Sequence, residues 1–248
     1  MRLYHFINEW NSARFESLDL SPEEIAVTIN RECKKYLKET NGKWFQRGMD
    51  LMLEPGILAG YRETRQDRHP LGMDEKEFKK FNSWLTKHGH ADRSKSISCS
   101  SKASRLFGRP YYIFIKGDYK YTWLLGNDVN NSDDSTEWYQ GMVGDFFFRN
   151  DDFPPMGSKK FRTQYRDERN ELRNSGKFTK ERDDELMKKF KENTYKWLDK
   201  NFKNFFTTNK GMKTAWSNNY EIWFQCEGYY FIREDDRKIY STIRKVTK

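Results

Sequence analysis

Residues 220–232 read YEIWFQCEGYYFI, a run of aromatic and β-branched residues that favours β-structure. A short turn around Gln225-Cys226 divides the run into two predicted strands, and two carboxylates, Glu221 and Glu227, interrupt it. A charged residue at the start of a buried strand is unexpected, since burying an unpaired charge costs free energy. Either one face of the strand meets water, or the Glu221 carboxylate is held in place for chemistry.

The segments before this run alternate between predicted helices and strands without a regular order. Residues 21–40 predict a helix, with Ser21 as N-cap and Glu24 completing a capping box, and Asn41-Gly42 ends it. A second amphipathic helix is predicted over residues 72–89. Residues 109–126 predict a β-hairpin, because two aromatic-rich runs flank Gly117-Asp118.

Several shorter segments complete the prediction. Residues 57–65, ILAGYRETR, read as a buried strand, and residues 44–55 are predicted to be helical. Short strands are expected within residues 142–155 and within residues 238–246. The irregular order predicts an α+β protein with a split, mixed β-sheet, preceded by N-terminal helices, in a single domain spanning residues 1–248.

Residues 157–206 differ from the rest of the chain, because they are highly charged, basic and helical in pattern. We predict two helices here, separated at Ser175-Gly176, as an insertion before the last strands. Lysines alternate with aromatic residues, a composition that suits a surface for nucleic acid. The aromatic residues also recur near helical spacing, so the alternative is that they face a core while the lysines face water.

The composition limits the classes of function. The formal net charge is +9 with 17% aromatic residues, which favours a folded protein with an anionic partner such as an acidic protein or a nucleic acid. The three cysteines, Cys33, Cys99 and Cys226, are widely spaced and indicate neither a disulfide framework nor a metal site. No apolar run reaches membrane-spanning length, so we expect a soluble, non-exported protein in a reducing cytoplasm.

Two short motifs lie upstream of Glu221. Tyr61-Arg62 stands at the end of a predicted strand, where a guanidinium suits phosphate or carboxylate. In SISCSSKASRLF, residues 96–107, Ser96 and Ser98 lie on one face of a strand, and a helix that includes Phe107 follows. Taken alone, the first motif also fits a surface arginine and the second an ordinary serine-rich turn.

In this order, Tyr61-Arg62, the serine motif and the Glu221 strand resemble the Arg–Ser–Glu signature of mono-ADP-ribosyltransferases, in particular the small enzymes of tailed bacteriophages. The resemblance covers ordered landmarks from Leu58 to Ile232. It implies an ADP-ribosyltransferase fold and a glycosyltransferase that uses NAD as substrate to modify a host protein or nucleic acid. It also implies a phage-encoded protein acting in host takeover, in the cytoplasm of a bacterial host.

The resemblance also implies roles for individual residues. Glu221 would bond the ribose and stabilise its developing positive charge, and Ser96 would orient Glu221, so these two are the expected catalytic residues. The expected NAD-binding residues are Arg62 at the pyrophosphate, with Tyr61, Ser98 and Phe107. No metal is expected.

Two positions depart from the family pattern. Glu63 follows the motif arginine, where the family has glycine beside the nicotinamide. Asn219 stands two residues before Glu221, where arginine-modifying members carry Glu or Gln. We assign Asn219 to acceptor recognition. Because its amide cannot accept a proton, it argues against arginine as the acceptor.

Several alternatives remain open at this stage. Glu227 and Glu137 are rival carboxylates, and NAD hydrolysis without an acceptor is a related activity. A non-catalytic, basic nucleic-acid- or protein-binding factor is the alternative from another class. A metal at His88 and His90 lacks supporting ligands, and a Cys99 nucleophile lacks a paired histidine.

Overall fold

The protein is α+β, as predicted from its sequence. The structure, a computed structural model, describes residues 15–51, 53–68, 74–102, 108–124, 143, 145–147, 159–233, 239 and 241–243. No helix in these ranges is long and apolar enough to cross a membrane.

The described strands form two sheets. The five-stranded sheet contains β1 (Phe15–Leu18), β2 (Phe45–Met49), β3 (Ala59–Glu63), β5 (Arg109–Ile115) and β9 (Gly228–Arg233), in the order β1-β3-β9-β5-β2. The four-stranded sheet contains β4 (Ser96–Cys99), β6 (Tyr119–Leu124), β7 (Phe206–Thr208) and β8 (Ile222–Cys226), in the order β4-β8-β6-β7. The strand pairs β1–β3, β3–β9, β5–β9, β2–β5, β4–β8 and β6–β8 are antiparallel, so the predicted mixed sheet is corrected to antiparallel sheets.

Among the described strands, four connections carry the chain from one sheet to the other: β3–β4, β4–β5, β5–β6 and β8–β9. The last two are short. Gly117-Asp118 lies between β5 and β6, as predicted, but these strands pair in different sheets, so the predicted hairpin is wrong. Glu227 alone separates β8 from β9, which also belong to different sheets. The two connections touch, because the backbone N–H of Lys116 donates to the carbonyl of Gly228 at 3.1 Å.

The N-terminal helices cover the apolar core beside these sheets. Helix α1 (Pro22–Glu32) begins at the predicted capping box, in which Ser21 accepts from the Glu24 backbone and Glu24 accepts from the Ser21 backbone. Helix α2 (Lys34–Thr40) follows and ends at Asn41, whose φ of 49° is left-handed. Their apolar faces are buried: Ile25, Ala26, Ile29, Tyr36 and Leu37.

Three segment predictions are wrong. Residues 44–55 contain the strand β2 instead of a helix, because Phe45 and Met49 are buried in a strand that pairs along β5. Residues 145–147 and 241–243 are helical instead of extended. Both contain aromatic or β-branched residues, whose preference for strands tertiary packing overrides.

The chain divides into two compact units. The second unit lies within residues 72–83 and 126–206 and includes most of α3 (Glu75–Lys87), together with α4 (Lys159–Asn174) and α5 (Lys180–Asn201). The predicted basic insertion is inside this unit, and α4 and α5 separate at Ser175-Gly176 as expected. Phe190 and Leu198 are buried, as is Phe202 just after the helix, which confirms that the apolar face of α5 packs inward.

Candidate active site around Glu221

The pairing of β4 with β8 determines which residues share a face with Glu221. Ser96 lies opposite Gln225, and Ser98 lies opposite Trp223. Directly opposed residues of an antiparallel pair project to the same side of a sheet. The alternate residues, including Ile97 and Phe224, are buried in the core on the other side.

Glu221 immediately precedes β8, and its backbone is already held by the sheet. Its carbonyl accepts a hydrogen bond from the N–H of Leu124 at 3.3 Å. Strand alternation places its side chain on the face of Trp223. The carboxylate is partly exposed, at 38% of its side-chain surface, so it is fixed in position and reachable from solvent.

Arg93 contacts both Glu221 and Trp223. Its Nη2 lies 3.6 Å from Oε1 of Glu221, and its Cζ lies 4.6 Å from the centre of the Trp223 ring. The Arg93 side chain is only 11% exposed and Trp223 is fully buried. The guanidinium is thus held against an aromatic face beside the carboxylate, which restricts the positions that both can adopt.

The chain around Arg93 is itself anchored. Arg93 begins a short 3₁₀ helix, Arg93–Lys95, whose N-cap Asp92 accepts hydrogen bonds from the N–H and Oγ of Ser94 at 3.0 and 2.6 Å. The Asp92 N–H donates to Oε1 of Gln225 at 2.9 Å, which ties the turn to β8. Sequence analysis missed Arg93, because its partners lie about 130 positions away in the chain.

Ser96 does not contact Glu221 through the strand pairing. Gln225, its partner, lies four residues along β8 from Glu221, about 13 Å at the usual rise of a strand. The Ser96 hydroxyl donates to the Asp92 carbonyl at 2.5 Å, and its carbonyl accepts from Nη1 of Arg68 at 2.6 Å. The expectation that Ser96 orients Glu221 is therefore corrected: Ser96 holds the turn that carries Arg93.

Ser98 lies closer to Glu221 than Ser96 does. Its partner Trp223 is two residues from Glu221, so the two side chains are diagonal neighbours on one face. The Ser98 carbonyl accepts a hydrogen bond from Nη1 of Arg47 at 2.8 Å. Arg47 on β2 was not singled out from the sequence, and it links the serine strand to the five-stranded sheet.

Asn219 joins the approach to Glu221 to the loop after β4. It adopts a left-handed φ of 55°, which asparagine tolerates better than most residues. Its Oδ1 accepts from Oγ of Ser101 at 3.0 Å and from the N–H of Lys102 at 2.9 Å. These bonds hold the ends of β4 and β8 together, whereas acceptor recognition by Asn219 stays a prediction.

Arg62 and Tyr61 lie on β3, in the other sheet from Glu221. Two residues beyond Arg62, the Thr64 hydroxyl lies 3.1 Å from Sγ of Cys226. Cys226 is five residues along β8 from Glu221, about 16 Å. Strand pairing therefore places the Arg62 backbone near the opposite end of β8 from Glu221.

Glu227 and Tyr61 share a second charged cluster at that opposite end. Nζ of Lys116 lies 3.7 Å from carboxylate oxygens of both Glu32 and Glu227, and 5.0 Å from the centre of the Tyr61 ring. The Tyr230 hydroxyl donates to Glu32 at 2.6 Å, and this bond, followed by Arg31, lowers the pKa of Glu32. The rival carboxylate Glu227 is 73% exposed there.

The structure bears unevenly on the other residues singled out from the sequence. Phe107 and Glu137 lie outside the described residues. Burial raises the pKa of Cys99 to about 12, which keeps it a neutral thiol and gives no support to a nucleophile. Across the ranges that the structure describes, no cluster of histidine, cysteine and carboxylate side chains suits a metal ion.

Comparison with known proteins adds no relative from which a function could be carried over. The chain matches no protein-family model, no curated protein and no solved structure.

Proposed function

We propose that this protein is an NAD-dependent mono-ADP-ribosyltransferase whose reacting carboxylate is Glu221. One observation carries the proposal: Glu221 is partly exposed at the head of β8, on the same face as Ser98 of the neighbouring strand β4, with Arg93 at 3.6 Å. The Arg–Ser–Glu order of the sequence motifs supports the same chemistry.

The proposed reaction breaks the bond between nicotinamide and ribose and passes positive charge to the ribose. The Glu221 carboxylate accepts a hydrogen bond from a ribose hydroxyl and stabilises that charge. The bonding electrons leave with nicotinamide, and a nucleophile of the acceptor forms the new bond to the ribose and gives up its proton. Arg93 restricts the position of Glu221, and Ser98 is the nearer of Ser96 and Ser98 by the β4–β8 pairing.

Two arginines, Arg62 and Arg93, are candidates for different roles in binding NAD. Arg62 is the residue implied by the resemblance, whereas Arg93 is the guanidinium that contacts Glu221. The resemblance assigns the phosphates to Arg62, whose backbone lies near the opposite end of β8, and we propose that Arg93 positions Glu221. On this assignment Arg62→Ala raises KM for NAD more than it lowers kcat, and Arg93→Ala lowers kcat.

The deciding experiment measures nicotinamide release from NAD, with and without bacterial lysate, for the wild type and for Glu221→Gln. We expect Glu221→Gln to lose about 10²–10³-fold in rate. Glu227→Gln is the matched control, since it removes the same charge at the other end of β8, and it should retain the wild-type rate. Thermal unfolding of all three proteins establishes that each is folded.

Two results would contradict the proposal. One is the absence of nicotinamide release by folded wild-type protein, even with lysate, which would favour the alternative of a non-catalytic binding factor. The other is a loss of rate in Glu227→Gln with none in Glu221→Gln. Release without transfer of labelled ADP-ribose to any lysate fraction would identify NAD hydrolysis as the activity.

A further inference from the structure

Helix α4 carries four arginines along one face. Arg162, Arg166, Arg169 and Arg173 are spaced by four, three and four residues, which places them within a sector of about 60° on a helix and over a length of about 16 Å. We call these four residues the arginine stripe. Arg162, Arg166 and Arg173 are exposed.

One acidic residue of the same helix contacts the stripe: Oδ1 of Asp167 lies 3.6 Å from Nε of Arg166, in an exposed ion pair. Exposed Glu171 lies on the opposite side of α4, and Glu168 pairs with Lys189 of α5 at 3.1 Å. Arg169 is bound to Asp183 of α5 at 2.6 Å. The stripe is therefore a row of four guanidinium groups, in which Arg166 forms an exposed and weak ion pair and Arg169 is fixed to α5.

The exposed face of α5 provides the contrast. The helix mixes both signs, with five acidic and six basic residues at exposed positions: Lys180, Glu181, Arg182, Asp184, Glu185, Lys188, Lys189, Glu192, Lys196, Asp199 and Lys200. Such a face neutralises itself and is typical of a solvated helix. Across residues 157–206, 15 basic and 9 acidic residues leave a net +6 of the chain's +9.

An exposed aromatic residue lies at the end of the stripe. Phe178, in the turn between α4 and α5, is 36% exposed, which is unusual for a large apolar side chain. The Cζ atoms of Arg173 and Arg169 lie 5.0 and 5.7 Å from the centre of its ring. The turn is ordered, since the Lys177 N–H donates to the Leu172 carbonyl at 3.0 Å and Thr179 caps α5.

We propose that the arginine stripe and Phe178 bind single-stranded nucleic acid. Guanidinium groups spaced along 16 Å suit a row of phosphates, and a partly exposed ring beside them suits base stacking. This binding does not depend on the proposed transferase activity, because none of these residues belongs to the Glu221 site.

The test measures binding of fluorescent single-stranded DNA, single-stranded RNA and duplex DNA by anisotropy, at several salt concentrations. We expect the single strands to bind more tightly than the duplex. A plot of log K against log salt concentration has a negative slope whose size reflects the number of phosphates bound. Replacing Arg162, Arg166 and Arg173 together by Gln should make this slope shallower by about 2. Affinity at low salt should fall at least about tenfold.

Two further variants make the test specific. The control replaces Lys34, Lys38 and Lys87 by Gln, which removes three exposed positive charges from α2 and α3, and it should leave the affinity within about twofold. Phe178→Leu should weaken binding of single strands roughly tenfold and leave duplex binding unchanged. Circular dichroism checks that each variant retains its helices.

The proposal is overturned if the wild type binds no oligonucleotide at low salt, or if the control triple variant loses as much affinity as the stripe variant. Equal or tighter binding of the duplex, with no effect of Phe178→Leu, would overturn the assignment to single strands. A difference between the DNA and RNA strands of equal length identifies which of the two the surface prefers.

Discussion

Ser96 and Glu221 lie on neighbouring strands, yet the partner of Ser96 in the strand ladder is Gln225, four residues beyond Glu221. Ser98, opposite Trp223, is the nearer of the two serines named by the motif. The structure thereby separates a serine that supports the turn of Arg93 from a serine diagonal to Glu221, and the two should respond differently to substitution.

The first prediction compares Ser98→Ala with Ser96→Ala. Ser98→Ala should lower nicotinamide release about tenfold, equivalent to about 1.4 kcal/mol, because it removes the closer hydroxyl from the face of Glu221. Ser96→Ala should instead lower the free energy of unfolding by about 1 kcal/mol, since its buried hydroxyl bonds the Asp92 carbonyl. Initial rates per folded molecule, together with denaturant unfolding, distinguish them; a larger rate loss in Ser96→Ala would contradict the assignment.

The second prediction concerns the stabilisation that Arg93 provides. Arg93→Met should lower the free energy of unfolding by about 1–2 kcal/mol, mainly through the lost contact with Trp223. A double-mutant cycle with Glu221→Gln should give a coupling below about 1 kcal/mol, because the Glu221 carboxylate is partly solvated. Arg93→Lys is the control that keeps the charge without the planar stack. A coupling above about 2 kcal/mol would show that the ion pair dominates.

The third prediction is a loss of stability in mild acid caused by His90. Burial, with smaller contributions from His88 and Lys120, lowers the pKa of His90 to about 4, and Nδ1 of His90 bonds the Thr208 hydroxyl at 2.7 Å. The unfolded chain therefore binds a proton between about pH 6.5 and 4 that the folded chain does not bind. The contribution of His90 to the free energy of unfolding is complete above pH 6.5 and is lost as the pH falls towards 4. Its size is on the order of 1–2 kcal/mol after discounting for solvent screening.

Unfolding of His90→Gln and His88→Gln across that pH range checks this. His90→Gln should flatten the pH dependence relative to the wild type. His88→Gln should keep it, since His88 stacks on Trp84 at the exposed end of α3. If the free energy of unfolding depends on pH in the same way in the wild type and in His90→Gln, the acid sensitivity arises from carboxylates instead.

The fourth prediction tests the close packing where the chain passes from β8 to β9. A Cβ at Gly228 would collide with the Tyr61 hydroxyl and lie 2.9 Å from the Arg62 carbonyl oxygen. Gly228→Ala should cost about 2–3 kcal/mol in the free energy of unfolding. Adding Tyr61→Phe should recover a small part of this loss, because the hydroxyl clash disappears while the contacts with the ring carbon Cζ at 2.7 Å and with the Arg62 carbonyl oxygen remain. Chemical denaturation of the single and double variants measures both effects, and full tolerance of Gly228→Ala would contradict this packing.

Local signals predicted much of the fold. The capping box at Ser21, the apolar face of α1 and the break at Ser175-Gly176 depend on residues close together in the chain, and all three are confirmed. The turn at Gly117-Asp118 was also located correctly. The partners of these two strands were not predicted correctly, because the same aromatic pattern fits a hairpin or two strands that enter different sheets.

The candidate site was predictable only in part for the same reason. Glu221 could be singled out as a charge at the head of an apolar strand. Its partner Arg93 could not be predicted, since the contact between Arg93 and Glu221 depends on the register of β4 against β8. The same register places Ser98 nearer to Glu221 than Ser96. Residue type and order indicate a chemistry, whereas the pairing of distant strands decides which groups meet.

The two short connections between the sheets, β5–β6 and β8–β9, have a consequence for the cooperativity of unfolding. Lys116 of the β5–β6 connection donates to the carbonyl of Gly228, which directly follows the β8–β9 connection, so two short covalent links and a hydrogen bond join the sheets at one place. We expect the two sheets to open as one foldon. In native-state hydrogen exchange, amides of β8 and β9 should then show the same opening free energy and the same dependence on denaturant.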